Sequence, residues 1–113
     1  MKDQTDTEIN EIIAVKVMGL DIEQYRTFKG DVIALPNYLH SDAYCMMAWD
    51  EFAKKQRADI GRWMDDTDWV WEVCAWEWCE ISQEHVIKAI SENPDRRRAM
   101  CECMAQSVAK VVV

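Results

Sequence analysis

The run Trp69-Val70-Trp71-Glu72-Val73-Cys74-Ala75-Trp76-Glu77-Trp78-Cys79 limits the available architectures sharply. Aromatic and β-branched side chains suit a pleated, half-buried surface and lose rotamer freedom in a helix, so the run reads as a β-strand. Successive side chains of a strand point to opposite faces. Trp69, Trp71, Val73 and Ala75 therefore line one face, and Val70, Cys74, Trp76 and Trp78 line the other. Apolar residues on both faces mark a central strand covered, at least in part, on each side. A helix over the same residues is the competing reading.

Neighbouring strands follow from weaker signals. A short strand through residues 60–64 precedes the run, and Asp65-Asp66-Thr67-Asp68 reads as the turn between them. Val86, Lys88 and Ile90 alternate against Ile87 and Ala89, which marks a third strand over residues 85–90.

Three segments carry helix signals instead. Thr5 stands three residues ahead of Glu8, the spacing of a capping box, and Ile9, Ile12, Ile13 and Val17 follow at helical intervals. Gly19 suits a left-handed cap, so the first helix is expected over residues 6–18. Periodicity is lost over residues 20–40, where Gly30 and Pro36 intervene and Val32-Ile33-Ala34-Leu35 has the make-up of one short strand. Ser41 can cap a second helix with Asp42 in its first turn, an apolar face of Cys45, Ala48, Trp49 and Phe52, and an end near Gln56. Lys54, Lys55 and Arg57 crowd that end, where the helix dipole favours cations. Asn93 can cap a third helix with Pro94 at its first position. Met100, Cys103, Met104, Val108 and Val111 then place this helix at residues 94–110. The expectation is a single α+β domain over residues 1–113, with a short sheet packed against three helices.

Charge is concentrated in one place. Residues 59–84 hold five of the six tryptophans and eight acids, with Arg62 the one base. The whole chain has a formal charge of −8, so nearly all of the imbalance is local. Dense carboxylates beside large aromatic surface suit a basic protein partner better than a small substrate. Asp59, Trp63, Asp65, Asp66, Asp68, Trp69 and Glu72 are the candidate partner-binding residues, with Trp63 and Trp69 the expected exposed indoles. The same charge opposes direct binding to nucleic acid or to an anionic membrane, whose phosphates it would repel. Acidity that merely keeps a small protein soluble is the competing explanation.

Other chemistry is poorly supplied. Five cysteines at spacings that include Cys74-x4-Cys79 and Cys101-x-Cys103 do not match a zinc knuckle. Residues two apart on a helix point about 200° apart, so Cys101 and Cys103 cannot share one ion in the third helix. Small buried hydrophobes explain these thiols with less strain. His40 and His85 stand in unrelated segments with no nucleophile motif beside them, and no phosphate loop, dinucleotide fingerprint or calcium loop is present. No catalytic residue, cofactor or metal site is expected. An odd thiol count, a polar acidic start at Met1-Lys2-Asp3 and apolar runs far below the ~20 residues of a membrane span place the expected location in the cytoplasm.

Arg96-Arg97-Arg98 opposes the positive end of the third helix dipole and needs compensation. The acidic strand region is the expected source, and an external acidic or phosphate partner is the alternative.

Several landmarks resemble one known family. Ala14-Val15-Lys16-Val17-Met18-Gly19 is similar to the opening helix of the phage ABA-sandwich domain, found in small phage and prophage proteins. Tyr38 and then Ser41-Asp42, leading a helix with Ala48-Trp49, resemble its second segment. Asn93-Pro94 with Ala99-Met100-Cys101 resembles its closing helix. The resemblance implies an antiparallel sheet between helices and a phage origin, and it carries over no catalytic residues. The acidic, tryptophan-rich middle departs from the pattern. The function expected is therefore non-enzymatic binding of a basic host protein, with a nucleic-acid-binding defence complex as the target and the acidic face as a nucleic-acid mimic. A self-associating accessory protein, its tryptophans buried in a homodimer, is the alternative.

Overall fold

The computed structural model describes residues 5–29, 35–64 and 68–109. Helix α1 spans Asp6–Ile12 and begins where the Thr5 hydroxyl accepts from the Glu8 amide at 3.2 Å. It continues into a π-helical turn, Ile13–Val17, in which the Met18 amide donates to the Ile13 carbonyl at 3.0 Å. Gly19, at φ +72°, then turns the chain through the left-handed conformation that a β-carbon disfavours. The Leu20 amide reaches back to the Ala14 carbonyl at 2.9 Å and closes the cap. A short 3-10 turn follows at Ile22–Tyr25.

Helix α2 spans Asp42–Lys55, and the Ser41 hydroxyl accepts from the Tyr44 amide at its start. Its expected apolar face of Cys45, Ala48, Trp49 and Phe52 is buried. Helix α3 spans Arg96–Ala109. Its cap differs from the expected one: the Asp95 carboxylate accepts from the Arg97 amide at 3.0 Å, while the Asn93 side chain accepts from the Asp95 amide at 2.9 Å. Two successive side-chain turns therefore carry the chain past Pro94 before the helix begins, so proline precedes the helix instead of opening it.

Strands β1 (Arg57–Met64), β2 (Trp69–Cys79) and β3 (Glu84–Asn93) form an antiparallel sheet in the order β1-β2-β3. The aromatic run is the central strand, as its composition indicates, and the helical reading falls. Both flanking strands outrun their alternation signal because ladder hydrogen bonding holds residues whose side chains are exposed. Ala75 pairs with Ala89 but Trp76 with Ile87, so β3 bulges at Lys88.

Val73, Ala75, Ala89 and Ser91 form a buried face of small side chains on which α3 lies. The Ser91 hydroxyl donates to Glu102 at 3.0 Å, and the Cys103 thiol sits 3.9 Å from the Ala89 carbonyl. Helix α3 also packs against α1 and α2, so Ile9, Ile13, Tyr38, Leu39, Met100 and Met104 close one core around it. The result is the expected α+β arrangement of a short antiparallel sheet against three helices. Coverage of β2 on the second face is partial: Cys74 is buried and Trp76 half-buried there, but Trp78, Ile87 and Ile90 are exposed. The described helices pack on the face of Val73 and Ala75. The strand expected at residues 32–35 lies largely outside the described residues, as do Asp65, Asp66 and Thr67 of the expected turn and the last residue of the expected third helix.

Candidate interaction surface

The sheet register sorts the candidate residues by face. Asp59, Trp63 and Glu72 stand on the face away from α3, where Asp59 pairs with Cys74, Trp63 with Val70 and Glu72 with Gly61. Trp69 stands on the other face, beyond the end of the packed core, and Asp68 accepts from its backbone amide at 2.8 Å. Trp63 is 39% exposed and Trp69 is 43% exposed, so both indoles are outward as expected. Asp65 and Asp66 lie outside the described residues.

Arg62 lies over the rings of Trp69, at 4.5 Å, and Trp71, at 5.3 Å. The single base of the acidic segment therefore faces the helix side. On the opposite side Arg57 lies over Trp76 at 5.5 Å, with its Nε 3.8 Å from Asp59. Cation–π contacts at exposed sites contribute about 0.5–1 kcal/mol each, so these arginines fix ring orientation more than they stabilise the fold.

The three consecutive arginines are compensated inside the molecule, but not by the sheet. Arg96 donates to Asp42 at 3.0 Å, and Arg97 lies within 3.8 Å of both Asp42 and Asp95. Arg98 donates to Glu102 at 2.7 Å and to Asp6, tying α3 to the first turn of α1. These carboxylates belong to the three helices and their caps, so the expected source in the acidic strands is corrected. A shallow cavity of about 220 Å³ between Trp71, Arg96 and Arg97 is lined by Asp42 and Asp95 as well, which neutralise it.

The Arg98 guanidinium, assisted by His40, holds the Asp6 carboxyl below its ordinary value. A depressed carboxylate contributes stability above its unfolded-state value and loses it as pH falls through the folded value. Thermal stability should thus fall below about pH 4, and Asp6→Asn should flatten that acid limb. Half of the Asp6 side chain is exposed, so the contribution stays under about 1 kcal/mol. Melting curves of both proteins between pH 2 and 6 check this, and parallel curves would refute it.

Sequence reasoning missed Trp78, which is 48% exposed and stands edge-on to His85 with ring centroids 5.2 Å apart. It also missed Ile87, Ile90 and Glu92. Strand alternation placed Trp78 on the even-numbered face, but only the packing of α3 shows which face is left open. Among the described residues no group of three or more histidines, cysteines or acids could hold a metal ion. All five cysteines are free thiols, with Cys45 and Cys101 4.0 Å apart between α2 and α3. No helix among the described residues is long and apolar enough to cross a membrane.

The chain folds like a phage protein of Bacillus cereus. The likeness to that crystal structure covers all of this chain and 95% of the other, with a TM-score of 0.62 and 13% identity. At that identity it shows the fold alone. No family model matches the chain, so membership of the ABA-sandwich family rests on no such match. No curated protein matches it.

Proposed function

We propose that this chain is a non-enzymatic phage or prophage protein that binds a basic site on a host protein through the acidic, tryptophan-bearing part of its sheet. The observation that carries the reading is a separation of charge. Arg96, Arg97 and Arg98 are engaged by Asp6, Asp42, Asp95 and Glu102, and Arg62 is turned toward Trp69 and Trp71. The carboxylates of Asp68 and Glu72 thus stand near outward indoles without those cations to neutralise them, and Asp59 on the same face as Glu72 has a 3.8 Å contact to Arg57. The ABA-sandwich landmarks and the fold shared with a phage protein support the phage origin. The target is a host defence complex with a cationic nucleic-acid channel, which such an acidic surface would enter as a mimic of the phosphate backbone.

Capture from host lysate tests the reading, with Asp59→Lys/Asp68→Lys beside the parent protein. A captured partner should be basic, and recovery should fall about tenfold in the variant and again as salt rises from low to about 0.5 M. An acidic partner, or one held equally well in high salt, would refute it.

A further inference from the structure

The sheet face turned away from α3 is built in two halves. Across the strands its rows read Trp63–Val70, Gly61–Glu72–Glu92, Asp59–Cys74–Ile90, Arg57–Trp76–Ile87 and Trp78–His85. Three carboxylates, Asp59, Glu72 and Glu92, occupy adjacent rows toward one end. Trp76, Trp78 and Ile87 occupy the other end together with Arg57, which lies over Trp76 and 3.8 Å from Asp59, while Ile90 shares the Asp59 row between the two. Trp78, Ile87 and Ile90 are exposed.

Neither half is at rest in isolation. Glu72 and Glu92 are direct cross-strand partners, an arrangement in which like charges destabilise a sheet. The same three carboxylates raise the Cys74 thiol further after burial has raised it. Opposite them, the face of Val73 and Ala75 is covered by α3, while an equally apolar set of side chains meets solvent. A sheet with apolar residues on both faces is normally covered by a layer on each.

We propose that this open face is the seat of a cationic amphipathic helix of the partner protein. The partner's lysines or arginines would lie over Asp59, Glu72 and Glu92, and its apolar side chains over Trp76, Trp78, Ile87 and Ile90. This rests on the function proposed above and moves the centre of binding from the turn near Asp68 to the middle of the sheet. Positions 70 to 78 of β2 span about 26 Å, the length of a helix of about 18 residues.

A second copy of this chain fits the face poorly. Stacked with strands in the same sense, the two faces would set Glu72 of the central strand against its own counterpart, with Glu92 over Gly61 close by. Stacked in the opposite sense, they would bury those carboxylates on indole and isoleucine, at a desolvation cost of several kcal/mol per ion. A cationic helix avoids both penalties and removes the repulsion within the sheet.

The test uses two synthetic 18-residue helical peptides of one pattern, Leu/Lys and Leu/Glu, titrated into the full-length ¹⁵N-labelled protein. The Leu/Lys peptide should shift the indole signals of Trp63, Trp76 and Trp78 and the amides of Ile87 and Ile90. Glu72→Lys/Glu92→Lys and Trp78→Ser should each weaken it by at least about tenfold, whereas Asp50→Lys, on exposed α2 surface, should not. Equal binding of the Leu/Glu peptide overturns the proposal. So does a protein whose mass by light scattering doubles with concentration while these signals shift without peptide, since a second copy would then own the face. Shifts confined to Met64, Asp68 and Trp69 also overturn it, yet leave the proposed function standing. The same holds if lysate capture is lost in the Asp59→Lys/Asp68→Lys variant and stays intact in Glu72→Lys/Glu92→Lys.

Discussion

Val73→Asp should unfold the protein, whereas Trp78→Asp, on the same strand, should leave it folded. Val73 is fully enclosed, pairs with Ile60 and Ser91, and lies on the face that α3 covers. An aspartate there would place a carboxylate, or a protonated acid without a partner, among the apolar side chains of the core. Either form costs several kcal/mol. Total stabilities of about 5–15 kcal/mol leave little margin for that loss. Trp78 stands at the opposite parity, half in solvent, with the edge of His85 as its ring contact. Its replacement removes strand-favouring aromatic surface at a cost of about 1 kcal/mol. Far-UV circular dichroism and melting temperature separate the two outcomes. A folded Val73→Asp protein would mean that α3 does not seal that face. An unfolded Trp78→Asp protein would mean that the open face is core.

Phe52→Ala should lower stability by about 3–5 kcal/mol, the usual cost of removing a buried aromatic and leaving a cavity. Phe52 is 3% exposed and lies against Trp49, with ring centroids 5.6 Å apart, where α2 meets the rest of the helical layer. Relaxation into the vacated space is limited because Trp49 is held in the same helix and the neighbouring positions are already small, Ala48 among them. For a chain of this length the loss corresponds to a drop in melting temperature of roughly 12–20 °C. Urea unfolding should show a lower midpoint with an unchanged slope, the sign of altered stability and not of altered compactness. A loss below about 1 kcal/mol would contradict the packing described for α2.

Local chemistry made the helices readable. Thr5 and Ser41 form the caps that their spacing indicates, Gly19 has the positive φ that its position demands, and Trp69–Cys79 is a strand because its residues suit little else. What escaped the sequence depends on distant parts of the chain. The π-helical turn at Ile13–Val17 adds a residue that periodicity does not count. The bulge at Lys88 and the meeting of Glu72 with Glu92 depend on hairpin register. The arginines of α3 find Asp6 and Asp42 because three helices converge, not because any local pattern pairs them. The candidate surface was legible in composition and in the outward indoles of Trp63 and Trp69. Which side of the sheet would stay bare was not, since alternation labels two faces and leaves their covering to tertiary packing.

The placement of sulfur has a consequence for oxidative chemistry. Cys45, Cys74, Cys101 and Cys103 are enclosed, and burial pushes the Cys103 thiol up to about 12. Cys79 is half-buried at the end of β2, where the Ser82 hydroxyl lowers its value and favours the reactive thiolate. A dissolved peroxide would therefore meet one thiol of the five, along with the exposed thioethers of Met46, Met47 and Met64, while the four enclosed thiols are shielded from it. The folded molecule shelters four of its five thiols by enclosure alone, and the odd cysteine count ceases to speak about the surroundings in which it works.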